Sequence, residues 1–205
     1  MTPGARVQAA IEILGDSLAG PLTADAVADA YFRRRRYAGS GDRRAVLARV
    51  FSILRRQARL AWHLARAGHE DASSPRALAL ADLVAGDGSD AAQAEALFGS
   101  STHAPEAFSE HERRVAAALA GRVLDDPAMP DAVRLEYPAW LDGSLRAAFG
   151  DRLAAEMEAL NRPAPLDLRV NTIKATRDDA RAALAAEGID AEPTPLSPWG
   201  LRVAG

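Results

Sequence analysis

Apolar positions recur at i, i+3, i+4 and i+7 through the first 125 residues, and no stretch there alternates as a strand does. Val7, Ala10, Ile11, Leu14 and Leu18 predict a first amphipathic helix, closed by Gly20-Pro21. Thr23 caps a second helix carrying Val27, Ala30 and Tyr31. From Asp42 to about Arg66 the pattern predicts one long helix. Its apolar stripe is Leu47, Val50, Phe51, Leu54, Ala58, Ala61, Trp62 and Ala65, widened by Ile53, Leu60 and Leu64. Further helix starts are Ser74-Pro75, Asp90 and the capping box Ser109-Glu110-His111-Glu112.

Asp125-Asp126-Pro127-Ala128-Met129-Pro130 interrupts the pattern, and residues 126–137 read as a linker. Two short helices follow, one led by Pro138 through Trp140, Leu141 and Leu145, the next from Asp151 through Leu153, Met157 and Leu160. Then the period changes to two. Leu166-Asp167-Leu168-Arg169-Val170-Asn171 alternates as a half-buried strand. Thr176 opens a helix ending near Gly188. Ile189 to Pro193 and Leu201 to Val203 predict two more strands. The predicted fold is therefore mainly α. A helical domain (1–125) precedes the linker, and residues 138–205 hold two short helices and a partial α/β unit. Because a strand begins just before Gly205, the sheet is expected to continue in a longer protein.

Charge changes this picture at one place. Between Tyr31 and Arg66 lie eleven arginines and one acid, Asp42, a net +10, while the rest of the chain carries −13. A concentration of that size favours a polyanion, and nucleic acid is the commonest one. On the long helix Arg49, Ser52, Arg56, Arg59, His63 and Arg66 follow the helical rhythm opposite the apolar stripe, which predicts a cationic ridge. Arg33, Arg34, Arg35, Arg36, Arg43 and Arg44 flank the turn Tyr37-Ala38-Gly39-Ser40-Gly41 at its mouth. The plain alternative is a basic face paired with acids of neighbouring helices. The single lysine, Lys174, beside 24 arginines reflects a GC-rich genome, so the clustering carries the argument rather than the choice of Arg over Lys.

Composition excludes several chemistries. The chain has no cysteine, hence no disulfide, no cysteine-ligated metal and no thiol nucleophile. No apolar run approaches the roughly 20 residues of a membrane span, and no secretion signal opens the chain, so a cytoplasmic setting is expected. His111-Glu112 lacks the second histidine of a zinc-protease motif, His69 and His103 read as loop residues, and Glu156 and Glu158 diverge on their helix. No metal is expected. Trp62 and Trp140 read as core; Trp199 is a candidate for base stacking.

The stretch Pro165-Leu166-Asp167-Leu168-Arg169-Val170-Asn171-Thr172-Ile173-Lys174-Ala175-Thr176-Arg177 resembles the PLDLRVNTLKATR signature of the RsmB/Sun family of rRNA cytosine-5 methyltransferases. Tyr137-Pro138-Ala139-Trp140-Leu141 is similar to that family's P-x-W-L element, and the run from Pro193 to Arg202 also matches. The segment Arg36 to Arg44, leading into Val50-Phe51-Ser52-Ile53-Leu54-Arg55, resembles the NusB-like domain that begins these enzymes.

The resemblance implies a three-part parent: a NusB-like helical domain, a small RRM-like (ferredoxin-like) subdomain, and a Rossmann-type catalytic domain. That third part would bind S-adenosylmethionine and carry two cysteines. This chain has no thiol, and Gly39-Ser40-Gly41 lacks a preceding strand and a third glycine, so no cofactor and no catalysis are expected here. Substrate recognition remains, with 16S rRNA the implied partner and a ribosomal protein a second one. Arg169 and Asn171 share one strand face and Lys174 follows in the turn; these three join the arginines as candidate RNA contacts. Asn171 has a plainer role open to it, bonding its own turn. A stand-alone NusB-like antitermination factor, and a helical module docking an acidic protein, are the competing readings.

Overall fold

The Thr2 hydroxyl accepts from the Ala5 N–H at 3.2 Å and starts α1 (Pro3–Ala19), with proline in the first turn, where its missing N–H costs nothing. α1 is the spine of the helical unit: Val7, Ala9, Ala10, Ile13 and Leu14 are buried, and it packs against α2 (Ala24–Arg34), α3 (Ser40–Arg55) and α5 (Pro75–Ala81). α4 (Gln57–Arg66) and α7 (Glu110–Leu119) close the core, and α6 (Ala91–Glu95) covers one end. Ile13, Leu14, Ile53, Leu60, Leu64, Leu78, Leu80 and Leu119 lose all contact with solvent. Each contributes about 1.5–3 kcal/mol from burial. The computed structural model describes residues 1–203, and the chain divides into two units between Ala159 and Leu160.

The long helix predicted from Asp42 to Arg66 is two helices. Arg56 breaks it with φ −131° and ψ 24°. No glycine or proline marks the break, because its cause lies 80 residues away. The Glu136 carboxylate accepts from the backbone N–H of Ala58 (2.8 Å) and Arg59 (3.0 Å), satisfying donors that a continuous helix would have used internally. The buried face is also rotated from the predicted stripe. Val46, Val50, Ile53, Leu60 and Leu64 are buried, whereas Leu47, Phe51, Leu54, Ala58, Ala61 and Trp62 are half-buried and Ala65 is exposed.

Residues 126–137, read as a linker, are packed. Met129, Leu135 and Tyr137 are buried, and α8 (Asp131–Arg134) forms within the segment. Glu136 stands at φ 59°, a left-handed conformation uncommon outside glycine, and its carboxylate is pinned at the start of α4. Tyr137, Leu135, Leu153 and Met157 then form a small cluster with α9 (Asp142–Phe149) and α10 (Leu153–Asn161). Glu136→Ala leaves two α4 donors and Arg59 without their acceptor. It is expected to lower unfolding free energy by about 2 kcal/mol in urea titrations, with Glu136→Gln recovering roughly half.

The second unit has the predicted order. β1 (Leu166–Arg169), α11 (Arg177–Ala186), β2 (Ala191–Pro193) and β3 (Gly200–Val203) form an antiparallel sheet in the order β1-β3-β2. Leu168, Val170, Ala191 and Leu201 face Ala180 and Leu184 of α11. Period two then places Asp167, Arg169 and Arg202 on the opposite face, where Asp167 lies across from Arg202 and Arg169 across from Gly200.

Candidate nucleic-acid interface

The arginines of α3 and α4 do not form an outward ridge. Arg49 reaches Asp82 at 2.5 Å and Asp87 at 2.9 Å. Arg56 lies 3.0 Å from Asp82 and 3.3 Å from Asp87, donates to the Gly86 carbonyl at 3.0 Å, and also holds the Ser52 hydroxyl. Arg59 pairs with Asp125 at 2.6 Å and Glu136 at 3.0 Å. The reason is α5. It carries an acid inside the apolar run Leu78 to Ala85 and opens into a π-turn, Asp82–Gly86, closed by Asp87 N–H to Asp82 C=O at 2.7 Å. Asp82 is 0% exposed, and burial pushes its carboxyl up to about 6 against the pull of Arg56 and Arg49. A buried acid demands cations, and the nearest helix supplies them. Gly86 is small for the same reason, since a Cβ there would sit 2.9 Å from an Arg56 nitrogen.

Two further members of the basic set are engaged. Arg35 pairs with Glu12 at 3.1 Å, its guanidinium 3.7 Å above the Tyr31 ring. Arg66 lies 4.8 Å from the Trp62 ring centre. His63, placed on the outer face by sequence, is 1% exposed, its Nε2 3.0 Å from the Leu124 carbonyl. Asp82 was the residue that sequence reasoning missed; an acid within a continuous apolar run was the signal available.

Arg55 and Arg66 also lack a carboxylate partner among the described residues, but the unpaired cations concentrate at the corner between α2 and α3. Arg33, Arg34, Arg36, Arg43 and Arg44 are all exposed. Arg43 donates to the Ala38 carbonyl at 3.0 Å and lies 5.5 Å from the Phe32 ring centre. Among the described residues, no carboxylate lies within ion-pair distance of the other four or of Arg43. The corner is built from within. Arg33 and Arg34 occupy the last turn of α2, where its dipole favours cations. Ala38 is buried and pins the turn. Asp42, the only acid of the block, points inward. It accepts from the Met1 ammonium (2.9 Å), Arg6 (2.8 Å) and Gly39 N–H (3.3 Å), and the ammonium first, then Arg6, hold its carboxyl below the usual range. The sequence therefore leaves five cations at one corner with their local counter-charge spent elsewhere.

In the second unit Arg169 and Lys174 are exposed. Asn171 takes the plainer role: its Oδ1 accepts from Ile173 N–H at 3.1 Å, an Asx turn that shapes the approach to Lys174. Arg202 is held by Asp167 through two bonds of 2.6 and 2.7 Å, which leaves Arg169 as the free cation of β1. Trp199 is 50% exposed; Trp140, expected in the core, is 80% exposed on a 3₁₀ turn, Ala139–Leu141. Among the described residues no cluster of His, Asp and Glu could hold a metal, and no helix is long and apolar enough to cross a membrane.

A mainly helical unit with an exposed basic corner, followed by a small antiparallel sheet with one covering helix, defines the class. Residues 137–205 match the family described as Methyltr_RsmF/B-like, ferredoxin-like domain, so this part of the chain is similar to that domain. Ribosomal RNA small subunit methyltransferase B of Photorhabdus laumondii is 37% identical over 67 residues, 33% of this chain and 16% of that protein. The crystal structure of PH0851 shares the fold over 100% of this chain and 49% of its own length, with a TM-score of 0.60 at 16% identity. The match spans a small part of the curated relative's length, and the chain spans about half of the structural one.

Proposed function

We propose that this chain recognises RNA on behalf of an S-adenosylmethionine-dependent 16S rRNA cytosine-5 methyltransferase in the cytoplasm. The observation that carries the reading is the α2–α3 corner, where Arg33, Arg34, Arg36, Arg43 and Arg44 face solvent without carboxylate partners while Arg35, Arg49, Arg56 and Arg59 are paired. Unpaired guanidinium groups grip phosphate and release its counterions, which supplies affinity. Arg169 and Lys174 add a second contact on the ferredoxin-like unit. The chain does not itself transfer a methyl group: it has no cysteine for a covalent adduct, and Gly39-Ser40-Gly41 joins two helices rather than a strand and a helix, so its residues do not fit the cofactor.

Filter binding of a 16S rRNA fragment from about 50 to about 200 mM salt tests this. Five corner cations predict a log–log slope of roughly −3 to −4. A flat line would overturn the reading, as would a protein partner that survives nuclease treatment and accounts for all capture.

A further inference from the structure

We infer that a cleft beside the basic corner holds one unpaired base of an RNA strand; this rests on the RNA-recognition reading and deepens it. The cleft runs from Tyr37 to the loop around Thr102, across the first turns of α1. Its outer lobe, about 490 Å³, is walled by Tyr37, Ser101, Thr102 and His103 over Ala5. Its inner lobe, about 270 Å³, reaches down to Glu12 and Arg35. Both lobes are of the size that takes a small ligand.

Two features of the cleft select a base. Tyr37 and His103 line both lobes, so two aromatic faces border the space. Tyr37 is 73% exposed in the middle of a cation run, so core packing does not account for its ring, and stacking on a base would. Charge then sets the orientation. Arg36 directly precedes Tyr37 in the chain and draws a sugar–phosphate toward the rim. The floor offers it no free arginine, because Arg35 is paired with Glu12 there and Glu106 lines the same lobe. Glu12 accepts from Gln8 at 2.9 Å and Arg35 at 3.1 Å. That leaves about two of its roughly four lone-pair sites free. A free carboxylate site accepts a base-edge N–H, the exocyclic amine of cytosine, adenine or guanine or the ring N–H of uracil, so it holds a base without selecting among them.

Fluorescence anisotropy with labelled oligocytidine and oligouridine of about eight nucleotides, and a duplex of equal length, reads the inference on the full chain. Both oligonucleotides are expected to bind tighter than the duplex. Tyr37→Ala is expected to weaken oligocytidine about tenfold with an unchanged salt slope, Tyr37→Phe to leave it unchanged, and the duplex to ignore both. Tyr37 is a surface residue, so the variants fold. Equal binding of Tyr37→Ala and the parent would overturn the stacking site. A duplex that binds as tightly as the two oligonucleotides would overturn the unpaired base. Absence of salt-dependent binding to all three would instead strike the RNA reading itself.

Discussion

Replacing Arg33, Arg34, Arg36 and Arg44 with alanine together is expected to weaken rRNA binding several hundredfold at about 0.1 M salt. Each phosphate contact on single-stranded RNA contributes about 0.7 to the salt slope, so four lost contacts remove roughly 3. The same substitutions leave the fold intact, since none of the four side chains holds another residue. Circular dichroism and urea midpoints should match the parent. Arg114→Ala with Arg162→Ala is the control, two exposed arginines elsewhere on the chain, with the loss compared per cation removed. If the control loses as much as the corner variant, the interaction is set by net charge and the corner has no special part. The ordering is informative in a second way. Had the predicted ridge existed, Arg49, Arg56 and Arg59 would dominate; with those three inside ion pairs, their replacement should disturb stability far more than the salt slope.

The sheet was legible in the sequence because its signals are local. Leu166 to Val170 alternates, Thr176 with Asp179 caps α11, and Gly188 ends it with φ 76°. The cationic corner was legible too, since Arg33 to Arg36 lie at a helix end where nothing could bury them all. The break at Arg56 was not, because helical periodicity runs through it and the deciding acceptor, Glu136, sits in a segment whose prolines suggested a linker. The ridge failed for a related reason. Position on a helix face says which way a side chain points, but not whether another helix brings an acid there, and Asp82 arrives from α5. Trp140 misled because size and apolarity predict burial on average, whereas a single 3₁₀ turn has no inner face to offer.

The Asp82 network makes the largest stability effect expected of the chain. Arg56→Met keeps the apolar stem and removes one of the two cations that face a fully buried carboxylate. Breaking such a pair from one side costs on the order of 3–5 kcal/mol near pH 7.5, with the lower end favoured because Arg56 keeps some solvent access. The cost should shrink on acidification, since Asp82 already titrates near 6 and becomes neutral below it. The sign for the parent runs the same way. Asp82 is raised above its unfolded value near 3.8, so its contribution is fully present below about pH 4 and is lost as pH rises through 6. A shift of that size corresponds to about 3 kcal/mol. Asp42, Asp131, Asp142 and Asp167 act oppositely. The N-terminal ammonium, Arg146, Arg146 and Arg202 respectively hold them low, so their contributions are present at neutral pH and fade in acid. Subtracting the stability curve of Asp82→Asn from that of the parent isolates the one titration from the others. The difference should favour the parent progressively less from pH 4 to pH 7, and Arg56→Met should cost little in the Asp82→Asn background. A flat difference curve, or additive costs in the double variant, would show that Asp82 and Arg56 do not share the energy that their geometry assigns to the pair.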